Sequence, residues 1–215
     1  MRFILISILF SSLFASCTAS TIHRNIKNTK IQDNQSDIKQ KAEQLKKAYL
    51  ILNSSPSTIK YEKEYFKTFP NSFVLLNSLF GYSDKEPMGP ESREGPLYNE
   101  ADLYIEAFFK LNGIEKTQYY NRIIDICING RWYADGVNYF RHGMKDMVKS
   151  DINLFSELLS KRTNKEIKGF WYFYLDEPYP PKKLPVELKK VKEINGRIYS
   201  LMELALKEVQ QAWKE

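Results

Sequence analysis

From Asp37 onward, apolar residues recur along the chain at steps of three and four, the spacing at which side chains share one face of an α-helix. Ile38, Ala42, Leu45, Ala48, Tyr49 and Ile51/Leu52 follow this period among Lys, Gln and Glu, and predict an amphipathic helix that breaks around Pro56. Ile59, Tyr61, Tyr65 and Phe66 predict a second, ending at Phe69-Pro70 because the residue before a proline avoids the α region. Asn71 or Ser72 is placed to cap a short third helix through Phe73, Leu76 and Phe80, with Gly81 as its stop. Asn99 is placed to cap a segment whose apolar face is Leu103, Tyr104, Ala107, Phe108 and Leu111, ended by Asn112-Gly113. The stretch 114–129 is apolar on several sides, with Gln118, Arg122, Asp125 and Asn129 as its polar stripe, which predicts a deeply set helix. Trp132, Ala134, Val137, Phe140, Met144, Met147 and Val148 predict another, and Ser150 or Asp151 caps the next, which carries Ile152, Phe155, Leu158 and Leu159. The last pattern is the longest: Val191, Ile194, Ile198, Leu201, Ala205, Val209 and Ala212/Trp213 step without interruption, weakened only slightly by Gly196.

One run fits either element type. Gly169-Phe170-Trp171-Tyr172-Phe173-Tyr174-Leu175 has the length and composition of a buried strand. No second alternating run offers it a partner, and an isolated strand leaves both edges unpaired. A short buried helix ending before Asp176-Glu177-Pro178 is therefore expected, followed by an extended connection through Pro178, Pro180 and Pro181. Its aromatic side chains are expected to serve the core rather than a ligand pocket.

Between the third and fourth helices, residues 81–96 hold three prolines and three glycines with four acidic and two basic side chains, so no regular element persists there. Long loops within a domain are uncommon and often carry function. Asp84, Lys85, Glu86, Glu91, Arg93 and Glu94 are the partner-binding candidates it supplies. Glycine and proline together number 18, about 8% of the chain against roughly 12% on average, as long helices would require. The expected architecture is all-α: a single-domain multi-helix bundle over 37–215 with a long Pro/Gly-rich loop.

The N-terminus has a different character. Arg2 is followed by the unbroken apolar run Phe3 to Phe10, then by smaller residues to Cys17, within signal-peptide dimensions and too short for the roughly 20 residues that span a bilayer. Leu13-Phe14-Ala15-Ser16-Cys17 resembles the lipobox of a bacterial lipoprotein precursor, although Phe14 stands where such sequences usually carry Leu, Val or Ile. The resemblance covers residues 1–17 only. It implies a signal peptide over 1–16 and lipidation of Cys17, with enough alkyl chain for stable anchoring. Thr18, rather than Asp, after the cysteine implies outer-membrane retention facing the periplasm. The stretch through Ser36 is polar and aperiodic and reads as a tether with a root-mean-square reach of about 25 Å.

With the signal removed, 31 Lys and Arg face 26 Asp and Glu, a modest excess suited to an anionic membrane or an acidic partner. An envelope location makes nucleic acid an improbable partner. The folded part holds one thiol, Cys127, expected to be buried and inert beside Ile123 and Ile124, and one histidine, His142. That stock suggests neither a disulfide framework nor a zinc site, and no cofactor or metal is implied.

Phosphate-binding glycine loops, the serine nucleophile elbow, C-x-x-C and H-E-x-x-H are all missing from the sequence. The catalytic candidates that remain are His142, with Asp146 one turn on to orient its ring, and Asp135, on the first turns of its helix and four residues after Arg131. For His142 the ordinary charged face of Arg141, Lys145, Asp146 and Lys149 is the preferred reading, and for Asp135 it is an interaction with the helix start or a pairing with Arg131. Asp125 and Glu177 are further carboxylates set among aromatics, where a glycosidase-like pair would need a separation of about 5 to 9 Å. The phrases Asn129 to Asp135 and Phe170 to Phe173 resemble small bacterial helical proteins, some associated with toxin immunity, without a motif specific enough to transfer residue roles. A lipid-anchored protein that binds another protein, most concretely an immunity-type protein, accounts for these features together. The alternatives are an envelope enzyme acting on peptidoglycan or glycan, and an accessory lipoprotein of an envelope complex.

Overall fold

The computed structural model describes residues 36–54, 58–82, 94–133 and 136–214. The chain divides into two units, Met1–Gln40 and Lys41–Glu215, and of the first only 36–40 are described, as helix. The described residues are all-α. They form α1 (36–54), α2 (Ile59–Thr68), α3 (Phe73–Phe80), α4 (Ala101–Phe109), α5 (Lys116–Cys127), α6 (Gly136–Ser150), α7 (Ile152–Ser160), α8 (Asn164–Leu175), α9 (Lys190–Ile194) and α10 (Gly196–Ala212), with 3-10 turns at Tyr98–Glu100 and Val186–Lys189. Among these residues no helix is long and apolar enough to cross a membrane.

Sequence chemistry sets most of the boundaries. The Ser72 hydroxyl accepts from Leu75 N at the start of α3, the Asp151 carboxylate from Leu154 N at the start of α7, and Glu115 from both Thr117 N and Gln118 N at the start of α5. Helix α8 opens with a capping box in which Thr163 and Glu166 satisfy each other's backbone N–H groups. It runs through the whole aromatic segment 169–175, and Phe170, Trp171, Phe173, Tyr174 and Leu175 are all buried. The helix expected there is thus present and longer than its aromatic part.

The core is aromatic. Phe69 stacks on Phe108 with 4.0 Å between ring centroids, Tyr120 on Phe155 at 4.5 Å, and Phe155 lies 6.1 Å from Phe170. Helix α10 packs along α8, and α4 along α6. Gly169 permits the approach of α8 to the end of α5, since a Cβ there would stand 2.0 Å from the Ile128 carbonyl oxygen.

Charged groups inside the fold tie down helix ends. Arg122 of α5 lies 4.6 Å above the Phe66 ring and donates to the Phe66 and Phe69 carbonyls at 3.2 and 3.1 Å, closing the C-terminus of α2. Arg197 of α10 does the same for α7, donating to Ser160 O at 3.2 Å and Arg162 O at 2.8 Å. Glu62, buried in α2, accepts the backbone N–H groups of Asn112 and Gly113 and fixes the turn between α4 and α5. In each case a full charge meets the orphan groups, and the dipole, of a helix end or tight turn.

Four expectations are corrected. Asn99 caps nothing, because Tyr98–Glu100 winds as a 3-10 turn before α4 begins. Leu103 is 45% exposed, since α4 buries the narrower stripe of Ala101, Tyr104, Ile105 and Phe108. Trp132 lies ahead of α6 in non-helical backbone, its N–H taken by a carboxylate described below. The long last helix is two helices, broken where Asn195 turns extended (φ -158°, ψ 102°) and its side chain accepts from Ile198 N.

Candidate functional site

Two features bring polar and aromatic groups to the surface on a fixed framework. The first follows α8. Asp176, the residue after that helix, is 4% exposed, and its two carboxylate oxygens accept from Trp132 N and from the Trp213 indole Nε1, each at 2.7 Å. The two indoles meet edge to face, 5.6 Å apart. One carboxylate therefore joins the α5–α6 connection to the ends of α8 and α10.

The next residue is held from a different side. Glu177 accepts from Lys145 Nζ at 3.0 Å and from Arg141 Nη2 at 3.3 Å. Arg141 is buried and also donates to the Phe173 and Tyr174 carbonyls at 3.1 and 3.3 Å, which closes the end of α8. Burial lowers the affinity of both cations for their protons, and Lys145 is lowered further by its neighbour Arg141; Glu177 opposes the effect on each. A third staple follows, where Gln210 Nε2 donates to Pro181 O at 2.6 Å. The proline-rich strap 176–185 is thus bound to α6 and α10. Its outer side and the end of α10 form an open groove of about 300 Å³ lined by Pro180, Lys182, Gln210, Trp213 and Lys214.

The second feature lies where the described chain stops at Tyr82 and resumes at Glu94. Gly95 N donates to Gly81 O at 2.9 Å, Leu97 N donates to Leu79 O at 2.9 Å, and Tyr82 and Glu94 form an antiparallel bridge. Gly95 sits so close to α3 that a Cβ would lie 2.4 Å from the Leu79 carbonyl oxygen. Of the loop's predicted contact residues, Glu94 forms half of this bridge, while Asp84, Lys85, Glu86, Glu91 and Arg93 lie outside the described residues, as do Cys17 and Asp135.

The other predicted groups are dispersed. His142 and Asp146 are both exposed on α6, with no hydrogen bond between them. Asp125 pairs with Arg162 at 2.8 Å. Cys127 is completely buried, and burial pushes its thiol well above the usual range, which keeps it protonated and unreactive. Among the described residues no three His, Cys, Asp or Glu side chains are grouped to hold a metal ion.

In the sequence Asp176 stands out only as a helix boundary. Its partners lie 44 and 37 positions away, and nothing local distinguishes it from Glu177 beside it. The capping box at Thr163 was readable, as a Thr with Glu three residues on before an apolar run. Compared with protein-family models, curated proteins and solved structures, the chain matches none.

Proposed function

We propose that this chain is a lipid-anchored protein of the bacterial envelope that acts by binding another protein, most concretely as an immunity-type protein that neutralises a toxin. The supporting observation is the fixed base of the 81–96 loop. With its ends joined by the Tyr82–Glu94 bridge and by backbone hydrogen bonds at 2.9 Å, the loop leaves and rejoins the helices at one point. Six charged residues fall between Gly81 and Gly95 in the sequence. Charges at the edge of an interface mainly set association rate and partner choice. A chain shortened across 84–93 keeps every helix of the described residues.

Cells lacking the chain should be inhibited by contact with sibling cells that deliver the toxin. Full-length chain should restore protection, and a chain shortened across 84–93, shown by circular dichroism to keep its helices, should not. Equal protection by the shortened chain would remove the loop from the interface, and unchanged growth of the deletion strain would remove the immunity role. Labelled palmitate tests the anchor separately, since incorporation in the wild type should vanish in Cys17→Ser.

A further inference from the structure

We propose that the strap 176–185 and the end of α10 form a docking face for an anionic phospholipid surface, with lipid phosphate received in the groove between Lys182 and Lys214. Trp213 is 40% exposed and Tyr179, next to the groove residue Pro180, is 90% exposed. Single exposed apolar residues are ordinary, but these two adjoin one groove and are flanked by cations. Lys182, Lys183 and Lys214 are exposed, and no ion pair among the described residues involves them. From Lys182 to Lys192 the chain carries five lysines and one glutamate. Lysines brought to an anionic bilayer surface are held there by its negative potential.

The geometry suits a bilayer interface in two ways. The Trp213 indole N–H already points inward to Asp176, so the outer part of its ring can enter an apolar layer without stranding a donor. The strap is also stiff: three prolines fix φ at 178, 180 and 181, and Asp176, Glu177 and Pro181 are each bonded to the helices, so little freedom is lost on docking. Aromatic rings with lysine stems beside them are the side-chain chemistry of the membrane–water interface. The groove is open to solvent and lined by two lysines, as a charged headgroup requires. An acidic polypeptide would meet the same cations, but Tyr179, at 90% exposed, offers it no enclosing pocket.

The test uses the full chain with vesicles whose acyl chains are brominated, because bromine quenches tryptophan emission at short range. The three tryptophans are Trp132, Trp171 and Trp213; none lies in residues 1–36, and Trp171 is completely buried, so quenching reports on the Trp213 face rather than on the N-terminal segment. Quenching should be at least threefold greater on phosphatidylglycerol-rich vesicles than on pure phosphatidylcholine, and should weaken as salt is raised. Lys182→Glu combined with Lys214→Glu should abolish that difference while leaving unfolding by urea unchanged, and Trp213→Phe should remove most of the signal. Equal quenching on acidic and neutral vesicles, or a preference that survives the lysine reversals, would overturn the proposal. So would a Trp emission change on adding poly-glutamate with none on adding vesicles, which would assign the face to an acidic polypeptide instead.

Discussion

The Asp176 carboxylate accepts the Trp213 indole N–H at 2.7 Å and so joins the end of α8 to the end of α10 across 37 positions of sequence. Its other oxygen holds Trp132 N at 2.7 Å. Replacing Asp176 with Asn keeps the shape but sets an amide NH₂ against one of these donors, leaving a buried group unsatisfied. Asp176→Asn should cost about 1–3 kcal/mol in urea unfolding. Trp213→Phe, which removes one donor at a partly exposed position, should cost less. The double variant should be less destabilised than the sum of the two, a coupling expected only if these groups meet in the folded state.

A second long-range contact ranks the arginines. Arg141 is 2% exposed and serves three acceptors at the end of α8, whereas Arg197 caps α7 from the surface. Arg141→Met strands Glu177 on Lys145 alone and frees two carbonyls, so about 2–4 kcal/mol should be lost, near the range for breaking a buried ion pair. Arg197→Ala should cost about 1 kcal/mol or less, because water replaces its bonds. Arg141→Lys should recover little, since an ammonium cannot reproduce the guanidinium fork. Equal losses at the two positions in a denaturant titration would contradict this ranking.

Helix positions were readable because they depend on residues three or four apart, and the caps at Ser72 and Asp151 and the stop at Gly81 are as local as the helices they bound. Asp176, Arg122 and Arg141 were not readable as structural residues. Their acceptors and donors are brought together only by packing, and a charged residue beside aromatics has the same local sequence whether it ties down a helix or faces water. Leu103 shows the same limit from the apolar side, because periodicity fixes an axis but not the width of the stripe that neighbouring helices cover.

The buried tyrosines set an alkaline limit on stability. Burial raises Tyr65, Tyr119 and Tyr174 above the ordinary value of 10.0, and burial together with the Glu100 carboxylate pushes Tyr104 up to about 12. The unfolded chain therefore loses these protons first. The stabilisation is fully present below pH 10 and falls as pH rises toward the folded values, by about 1.4 kcal/mol per pH unit for each tyrosine involved. Unfolding free energy measured from pH 8 to 12 should be flat to about pH 10 and then decline. Tyr119→Phe should make the decline shallower, and absorbance at 295 nm should show most of the tyrosinate appearing together with loss of helix.

Between α9 and α10 the chain breaks although the apolar period runs on without interruption. Val191, Ile194 and Ile198 keep helical spacing across Asn195, yet the backbone leaves the helix there. Two local preferences outweigh the period. Asn is among the best N-caps, and here its Oδ1 accepts from Ile198 N at 3.2 Å, while Gly196 weakens any helix that tries to run straight through. Asn195→Ala should cost about 1 kcal/mol by removing the cap. Gly196→Ala should act in the opposite direction. A Cβ at Gly196 meets nothing within 4 Å, and the residue occupies the first helical position of α10, so the substitution mainly reduces the freedom of the unfolded chain. A gain of about 0.4–1 kcal/mol is expected. Thermal unfolding of the two single variants and the double variant should show one lowered midpoint, one raised, and a double variant near the wild type. A Gly196→Ala variant that unfolds earlier than wild type would mean that the break needs the glycine itself, rather than the asparagine cap that precedes it.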